Sequence, residues 1–180
     1  MSDHTISLAF SVLHHYLKLF AEKQEPHLPL PSFPPQFKQV DISPFLSQAE
    51  HLVLGKQPEL KESNKLFSLF ENINQENKKT QFSYDFQPLS PNTIFPKKEE
   101  NNTALSIHWD KFVQAIAEIP KSHCDNLSLW LDHFDTAMQC FTCNLPSPYS
   151  DEISFYDFTK AVAAFVVALA DQEINEEEPF

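Results

Sequence analysis

Hydrophobic residues recur at helical spacing in four long segments of this chain. In residues 6–22 the apolar side chains fall three or four positions apart, which is the pattern of an amphipathic helix. The same spacing predicts helices over residues 105–119, 126–141 and 154–170. A shorter helix is predicted to begin at Ser43 as its cap, with a proline in its first turn, and to end by Gly55. The last segment is apolar on nearly all sides from Ala161 onward, so we expect it to lie buried between other elements.

The segments between the predicted helices are rich in proline. Five prolines in residues 26–35 predict an extended connector, and residues 58–102 show no clear period. Ser154 and Asp157 resemble a capping box at the start of the last helix, and the acidic residues 171–178 after it are typical of a solvated linker. We therefore predict a mainly α fold with a loop-rich middle. Its parts are a helical region (1–57), an extended proline-containing connector (58–103) and a C-terminal helical segment (104–180).

Composition restricts the kind of ligand that this chain can hold. The 180 residues carry a net charge of −12, and all 13 basic residues are lysines. Nucleic-acid binding normally uses basic stripes, and arginine is the favoured bidentate ligand of phosphate, so an acidic chain without arginine is a poor binder by itself. Such a chain is better suited to docking on a basic protein. The single glycine, Gly55, also excludes glycine-rich phosphate loops.

The cysteines and the longest apolar run indicate a cytoplasmic protein. Three cysteines give no even disulfide framework, and the apolar run 161–170 has about half of the roughly 20 residues that a membrane span needs. Cys140 and Cys143 form a Cys-x-x-Cys pair that could bind zinc together with His123 and Cys124. Because His123 and Cys124 are adjacent, chelation by both is awkward, and we expect the thiols to pack or to lie in turns.

The run of residues 150–165 is the most informative part of the sequence. It reads SDEISFYDFTKAVAAF, and it resembles the signature Asp-Ile-Ser-Leu-Tyr-Asp-His-x-x-x-x-Ala-Ala in the large subunit of type III CRISPR effector complexes, the polymerase-like Csm/Cmr Cas protein. One departure is Phe158, where the family usually has histidine. In that family the signature opens a helix between an N-terminal HD domain and the first palm domain. The resemblance implies that this chain is the front piece of a larger protein, because the palm begins about where Phe180 stands.

The first predicted helix resembles a degraded HD motif. Residues 13–20 read LHHYLKLF, where HD phosphohydrolases have Leu-His-Asp-Ile-Gly-Lys-Phe. His14 and Lys18 match, but His15 replaces the metal-binding aspartate and Leu17 the glycine. A neutral imidazole supplies one nitrogen and no charge, whereas a carboxylate can bridge two metal ions. We therefore expect the nuclease site to be inactive.

A second HD element is also altered. Residues 49–57 read AEHLVLGKQ where the family has Ala-Asp-x-x-Ser-x-Gly-Glu-Arg, so Glu50 replaces an aspartate ligand. The residual catalytic candidates are His14, His15 and Glu50, and a residual metal site would add His51. We expect no cofactor; a divalent metal (Mn, Ni or Mg) is expected only if this site retains function.

Weaker family markers lie between the two ends in the family's order. Residues 84–90 resemble the family's proline-containing connector, 108–112 its Trp-x-x-Phe element and 144–147 its Ile-Pro-Ser element. The order of these markers before the signature carries the resemblance.

Three functions follow from these observations and stay open. The first is a scaffold and interaction module in crRNA-guided antiviral defence. Its partners would be the palm-bearing remainder and other type III subunits, with crRNA and target RNA associated indirectly and no membrane contact. The second is a divergent metal-dependent HD nuclease that cleaves single-stranded DNA. The third is an unrelated acidic helical adaptor. We favour the first, because the HD motif is degraded and the palm motifs for cyclic oligoadenylate synthesis are absent from the sequence.

Overall fold

The computed structural model describes residues 2–61, 65–68, 82–97 and 105–177. Over these residues the chain forms five α-helices and isolated β-bridges but no strand. The helices are α1 (Asp3–Lys23), α2 (Ser43–Leu54), α3 (Leu105–Ala117), α4 (Leu127–Thr142) and α5 (Phe155–Glu177), and a short 3-10 helix spans Lys121–His123. The prediction of a mainly α fold with a loop-rich middle is confirmed. Within the same part of the chain, none of the helices has the length and apolar content to cross a membrane.

The ends of α1 and α2 agree only in part with the caps predicted from the sequence. The Ser2 hydroxyl accepts a hydrogen bond from the Thr5 backbone N–H at 3.2 Å, so α1 begins three residues before the predicted start. The prediction that Ser43 caps α2 is wrong, because Ser43 is already helical and Ile42 occupies the cap position. Gly55 ends α2 with φ 65°, a left-handed conformation that glycine adopts without steric cost.

The ends of α5 differ in how well the sequence predicted them. The Ser154 hydroxyl accepts a hydrogen bond from the Asp157 N–H at 3.0 Å and donates to the Asp157 carboxylate at 2.7 Å, which confirms the predicted cap. The prediction that the helix ends at Ala170 and that an acidic linker follows is wrong, because α5 continues to Glu177. Glutamate and glutamine are good helix formers, so the acidic residues after Asp171 prolong the helix.

Helix α5 is the element on which the N-terminal helices pack. Both α1 and α2 lie against it, while α3 and α4 pack on each other and α4 also contacts α5. Aromatic rings also join α1 to α3 and to α5. Phe20 of α1 stacks on Trp109 of α3 at 5.2 Å and meets Phe155 of α5 edge-on at 5.6 Å. One hydrophobic core therefore includes side chains from all five helices.

The prediction that the segment from Ala161 onward lies buried between other elements is confirmed for one face of α5 and wrong for the opposite face. Val162 and Val166 are fully buried, but Ala164, Phe165 and Ala168 are exposed, Phe165 by 39%. The physical reason is that α1 and α2 pack extensively on α5, whereas α4 contacts it much less. An apolar helix face is thus left open to solvent.

The connector is anchored to the helical part by a buried amide. Asn144, which is 4% exposed, donates hydrogen bonds to the carbonyl oxygens of Gln87 at 3.4 Å and Thr93 at 3.3 Å. Antiparallel bridges join Ser83 to Phe67 and to Lys97. Residues 62–64, 69–81 and 98–103 of the predicted connector lie outside the described part of the chain, as does residue 104, and the three-part division of the sequence stays a prediction.

His108 carries two buried ring nitrogens without hydrogen-bond partners among the described residues. The imidazole lies in a small apolar niche with Phe86, Phe112 and Leu145. Burial lowers the pKa of His108, the nearby Lys111 lowers it further, and Asp85 opposes the change. The folded state therefore favours the neutral imidazole.

We expect the substitution His108→Leu to raise the free energy of unfolding by about 1 kcal/mol, because it removes buried polar atoms without partners. The pKa of His108 lies below the ordinary 6.5 in the folded chain, so protonation of this imidazole favours the unfolded chain. The original chain therefore keeps its full stability above pH 6.5 and loses part of it as the pH falls through the folded pKa. The advantage of the variant should therefore grow from about pH 7.5 to about pH 5. Urea unfolding at several pH values measures it, and His51→Leu, at an exposed histidine, is the control. An unchanged or lower stability of His108→Leu would contradict this account.

Candidate functional site

A carboxylate and two tyrosines meet where α1, α2 and the loop before α5 come together. The Tyr16 hydroxyl donates a hydrogen bond of 2.5 Å to Glu50 Oε1, and the Tyr149 hydroxyl donates one of 3.0 Å to the same oxygen. Tyr16 is fully buried and Glu50 is 6% exposed. We call Tyr16, Glu50 and Tyr149 the Glu50 cluster.

Phe158 packs against both tyrosines of the Glu50 cluster. Its ring meets Tyr16 edge-on at 5.1 Å and Tyr149 edge-on at 5.6 Å. This is the position where the family signature usually has histidine. A phenylalanine there adds no ligand or proton donor, and it fills the space between the two phenols with an apolar ring.

Burial raises the pKa of Tyr16 and of Tyr149 well above the ordinary value of 10.0, and the Glu50 carboxylate raises both further. Both phenols therefore stay protonated throughout the physiological range. A protonated phenol is a permanent hydrogen-bond donor, so the cluster can hold a buried carboxylate without a metal or a cation.

His14 and His15 lie in a polar groove on the other side of α1. The groove has a volume of about 320 Å³, and Lys18, Gln39 and Asp41 also line it. The Gln39 amide donates to His14 Nδ1 at 3.0 Å. Burial is the main reason that the pKa of each histidine is lowered, and the positive charge of Lys18 lowers both further.

The four predicted metal ligands occupy different environments. His14 packs edge-on against Phe33 at 5.4 Å, and His51 is exposed on α2. His15 feels the Glu50 charge, but Glu50 directs one oxygen to two tyrosine hydroxyls. Among the described residues, no group of three or more histidine, cysteine, aspartate or glutamate side chains could hold a metal ion. A residual metal site built from His14, His15, Glu50 and His51 stays a prediction.

The cysteines and His123 likewise form no ligand set in the described part of the chain. All three cysteines are free thiols. Burial raises the pKa of Cys143 to about 11, with Asp157 as the second cause, so this thiol is protonated at neutral pH. His123 instead stacks on His133, with ring centroids 4.9 Å apart.

Sequence analysis identified Glu50 but missed its two tyrosine partners. Tyr16 occupies the apolar face of α1, where a tyrosine is indistinguishable from any other core aromatic residue. Glu50 follows Ala49 on the buried side of α2. A buried glutamate requires partners, and this requirement is the signal that could have led to a search for phenol donors.

No protein-family model, curated protein or solved structure matches this chain. The likeness to the type III large subunit therefore depends on the residues of the signature and on the order of the weaker markers. The Glu50 cluster contains one of the four residues that the resemblance marks as candidate metal ligands, Glu50.

We expect Glu50→Ala to lower the free energy of unfolding by about 2–4 kcal/mol, because it leaves two tyrosine hydroxyls without an acceptor. Replacing the whole cluster, with Glu50→Met, Tyr16→Phe and Tyr149→Phe together, should restore most of this loss, since no polar group then remains unpaired. Guanidinium unfolding measures both variants.

Glu22→Ala is the matched control, because Glu22 is an exposed glutamate whose 3.8 Å pair with Lys18 lies at the surface. Its effect should stay within about 0.5 kcal/mol. If Glu50→Ala is as stable as the original chain, or if the triple variant is as unstable as Glu50→Ala, the cluster does not stabilise the fold in this way.

Proposed function

We propose that this chain is the nuclease-inactive, HD-like N-terminal portion of a type III CRISPR large subunit, and that it acts as a scaffold and interaction module in crRNA-guided antiviral defence. The observation that carries the proposal is that the family signature forms the start of α5, the helix on which α1 and α2 pack. Phe155 and Phe158 of the signature are fully buried in the core. The part of the sequence that resembles the family most is thus also the part that organises the fold.

The state of the HD positions supports an inactive nuclease. Metal-dependent hydrolysis needs a carboxylate and histidines directed at one cation, which then supplies a hydroxide nucleophile. Here Glu50 accepts hydrogen bonds from Tyr16 and Tyr149, and His14 is engaged by Gln39. Glu50 thus joins α1 and α2 to the loop before α5, and His14 joins α1 to the loop before α2, so these positions would serve the structure.

The charge of the chain supports a protein partner. A net charge of −12 repels phosphate, so association with crRNA and target RNA would be indirect, through basic subunits. The partners would be the palm-bearing polypeptide and other type III subunits, in the cytoplasm. Cyclic oligoadenylate synthesis would belong to the palm domain and not to this chain.

We expect this chain to co-purify with a palm-bearing subunit and crRNA. The experiment is co-expression of the tagged chain with the palm-bearing polypeptide of the same genome, followed by size-exclusion chromatography and identification of the bound RNA. The matched control is the folded chain with its own tag, expressed without that polypeptide. Elution of the folded chain alone, in the presence of a folded palm-bearing subunit, would overturn the proposal and favour an unrelated acidic adaptor.

A metal titration separates the scaffold from the alternative of a divergent single-stranded DNA nuclease. We expect the melting temperature to stay unchanged when Mn²⁺, Ni²⁺ or Mg²⁺ is added, because Glu50 is already engaged by two hydroxyl donors. Differential scanning fluorimetry measures this, with His14→Ala and His15→Ala as the diagnostic variants. A rise in melting temperature that disappears in those variants, together with cleavage of single-stranded DNA, would favour the nuclease.

A further inference from the structure

An open groove runs between α1, α4 and α5, where part of the α5 surface remains exposed to solvent. Its volume is about 460 Å³, within the range of about 300–1,000 Å³ that ligand sites occupy. The apolar residues that line it include Ala9 and Leu13 of α1, Leu131 of α4, and Ala163, Ala164 and Val167 of α5. It lies apart from the Glu50 cluster and from the polar groove of His14.

The dimensions of this groove match a short stretch of helix. On α1 its lining runs from Thr5 to Leu13, a rise of about 12 Å, and on α5 from Lys160 to Val167, a rise of about 10 Å. Two turns of α-helix span about 11 Å, and they place side chains at i, i+3, i+4 and i+7 on one face. The small side chains of Ala9, Ala163 and Ala164 let another helix approach closely.

The charged residues at the rim of the groove determine which charge a bound partner should carry there. The groove is lined by three charged residues, Asp132, Asp135 and Lys160. Lys160 donates to Asp135 at 2.8 Å, and the Tyr156 hydroxyl donates to the other oxygen of that carboxylate at 3.0 Å. Asp135 and Lys160 thus neutralise each other, and the exposed Asp132 leaves a net negative charge at the edge. With a chain charge of −12, a second copy of this chain would be repelled.

We propose that this groove binds an amphipathic α-helix of a partner protein, with its apolar face on Ala164 and Val167 and a lysine or arginine beside Asp132. This inference goes beyond the proposed function, because it depends on the shape and charge of the groove and not on the family resemblance. It also explains why ten consecutive residues of α5, 161–170, are apolar although part of that helix is solvent-exposed.

Methyl NMR of the full chain, labelled at its alanine methyl groups, tests the inference directly. The probes are two synthetic amphipathic helices of about 14 residues, about four turns, one built of leucine and lysine and the other of leucine and glutamate. We expect the leucine–lysine peptide to shift the methyl signals of Ala9, Ala163 and Ala164. The exposed Ala117 of α3 lies outside the groove, and its signal should not move.

Matched variants distinguish binding in the groove from nonspecific binding elsewhere on the chain. Ala164→Lys should weaken binding of the leucine–lysine peptide at least about tenfold, because it fills the groove and adds a like charge, while Ala117→Lys adds the same charge elsewhere and should leave binding unchanged. Asp132→Lys should weaken binding by about fivefold, since it reverses the charge at the rim. Ala164 and Asp132 are exposed, so both variants should fold, as circular dichroism verifies.

Three results would overturn the inference. One is the absence of methyl shifts with both peptides, and another is equal binding of the leucine–lysine and leucine–glutamate peptides. The third is a set of shifts that depends on the concentration of the chain without peptide, which would assign the groove to self-association. The co-purification experiment above is independent, since the peptides can bind whether or not a palm-bearing subunit does.

Discussion

One carboxylate oxygen of Glu50 connects three parts of the chain that are far apart in sequence. Through Tyr16 and Tyr149 it joins α1, α2 and the loop that leads into α5, and the ring of Phe158 closes the space between the phenols. Because a buried carboxylate without donors is costly, the position of α2 depends on both tyrosines being present.

Hydrophobic periodicity predicted the four long helices, and the serine, proline and glycine between residues 43 and 55 predicted α2. The start of α5 was predictable from its Ser154 cap. The cap of α1 at Ser2 was missed, and α2 includes Ser43, the residue that resembled its cap. The far end of α5 was missed because helix propensity in the acidic tail outweighed its similarity to a linker. Local sequence patterns describe one turn of helix at a time, and they do not show which side of α5 packs against another helix.

The candidate site shows the limit of sequence inference more sharply. His14, His15, Glu50 and His51 could be named from a motif, but their environments depend on Tyr16, Tyr149 and Gln39, residues that the motif does not contain. Spacing along the chain cannot reveal that residue 149 lies against residue 50. Burial and hydrogen-bond requirements supply that information, since a glutamate on an apolar face must find donors in the folded chain.

Gly55 has a consequence for the entropy of folding. It is the only glycine in the sequence, and it occupies the only positive φ in the described part of the chain. Every other described turn is therefore made by residues with restricted backbones, and 14 prolines restrict the unfolded chain further. Fewer conformations are lost when such a chain folds, which offsets part of the entropy cost of ordering the described loops. These loops can in this way hold their conformation although all three cysteines are free thiols.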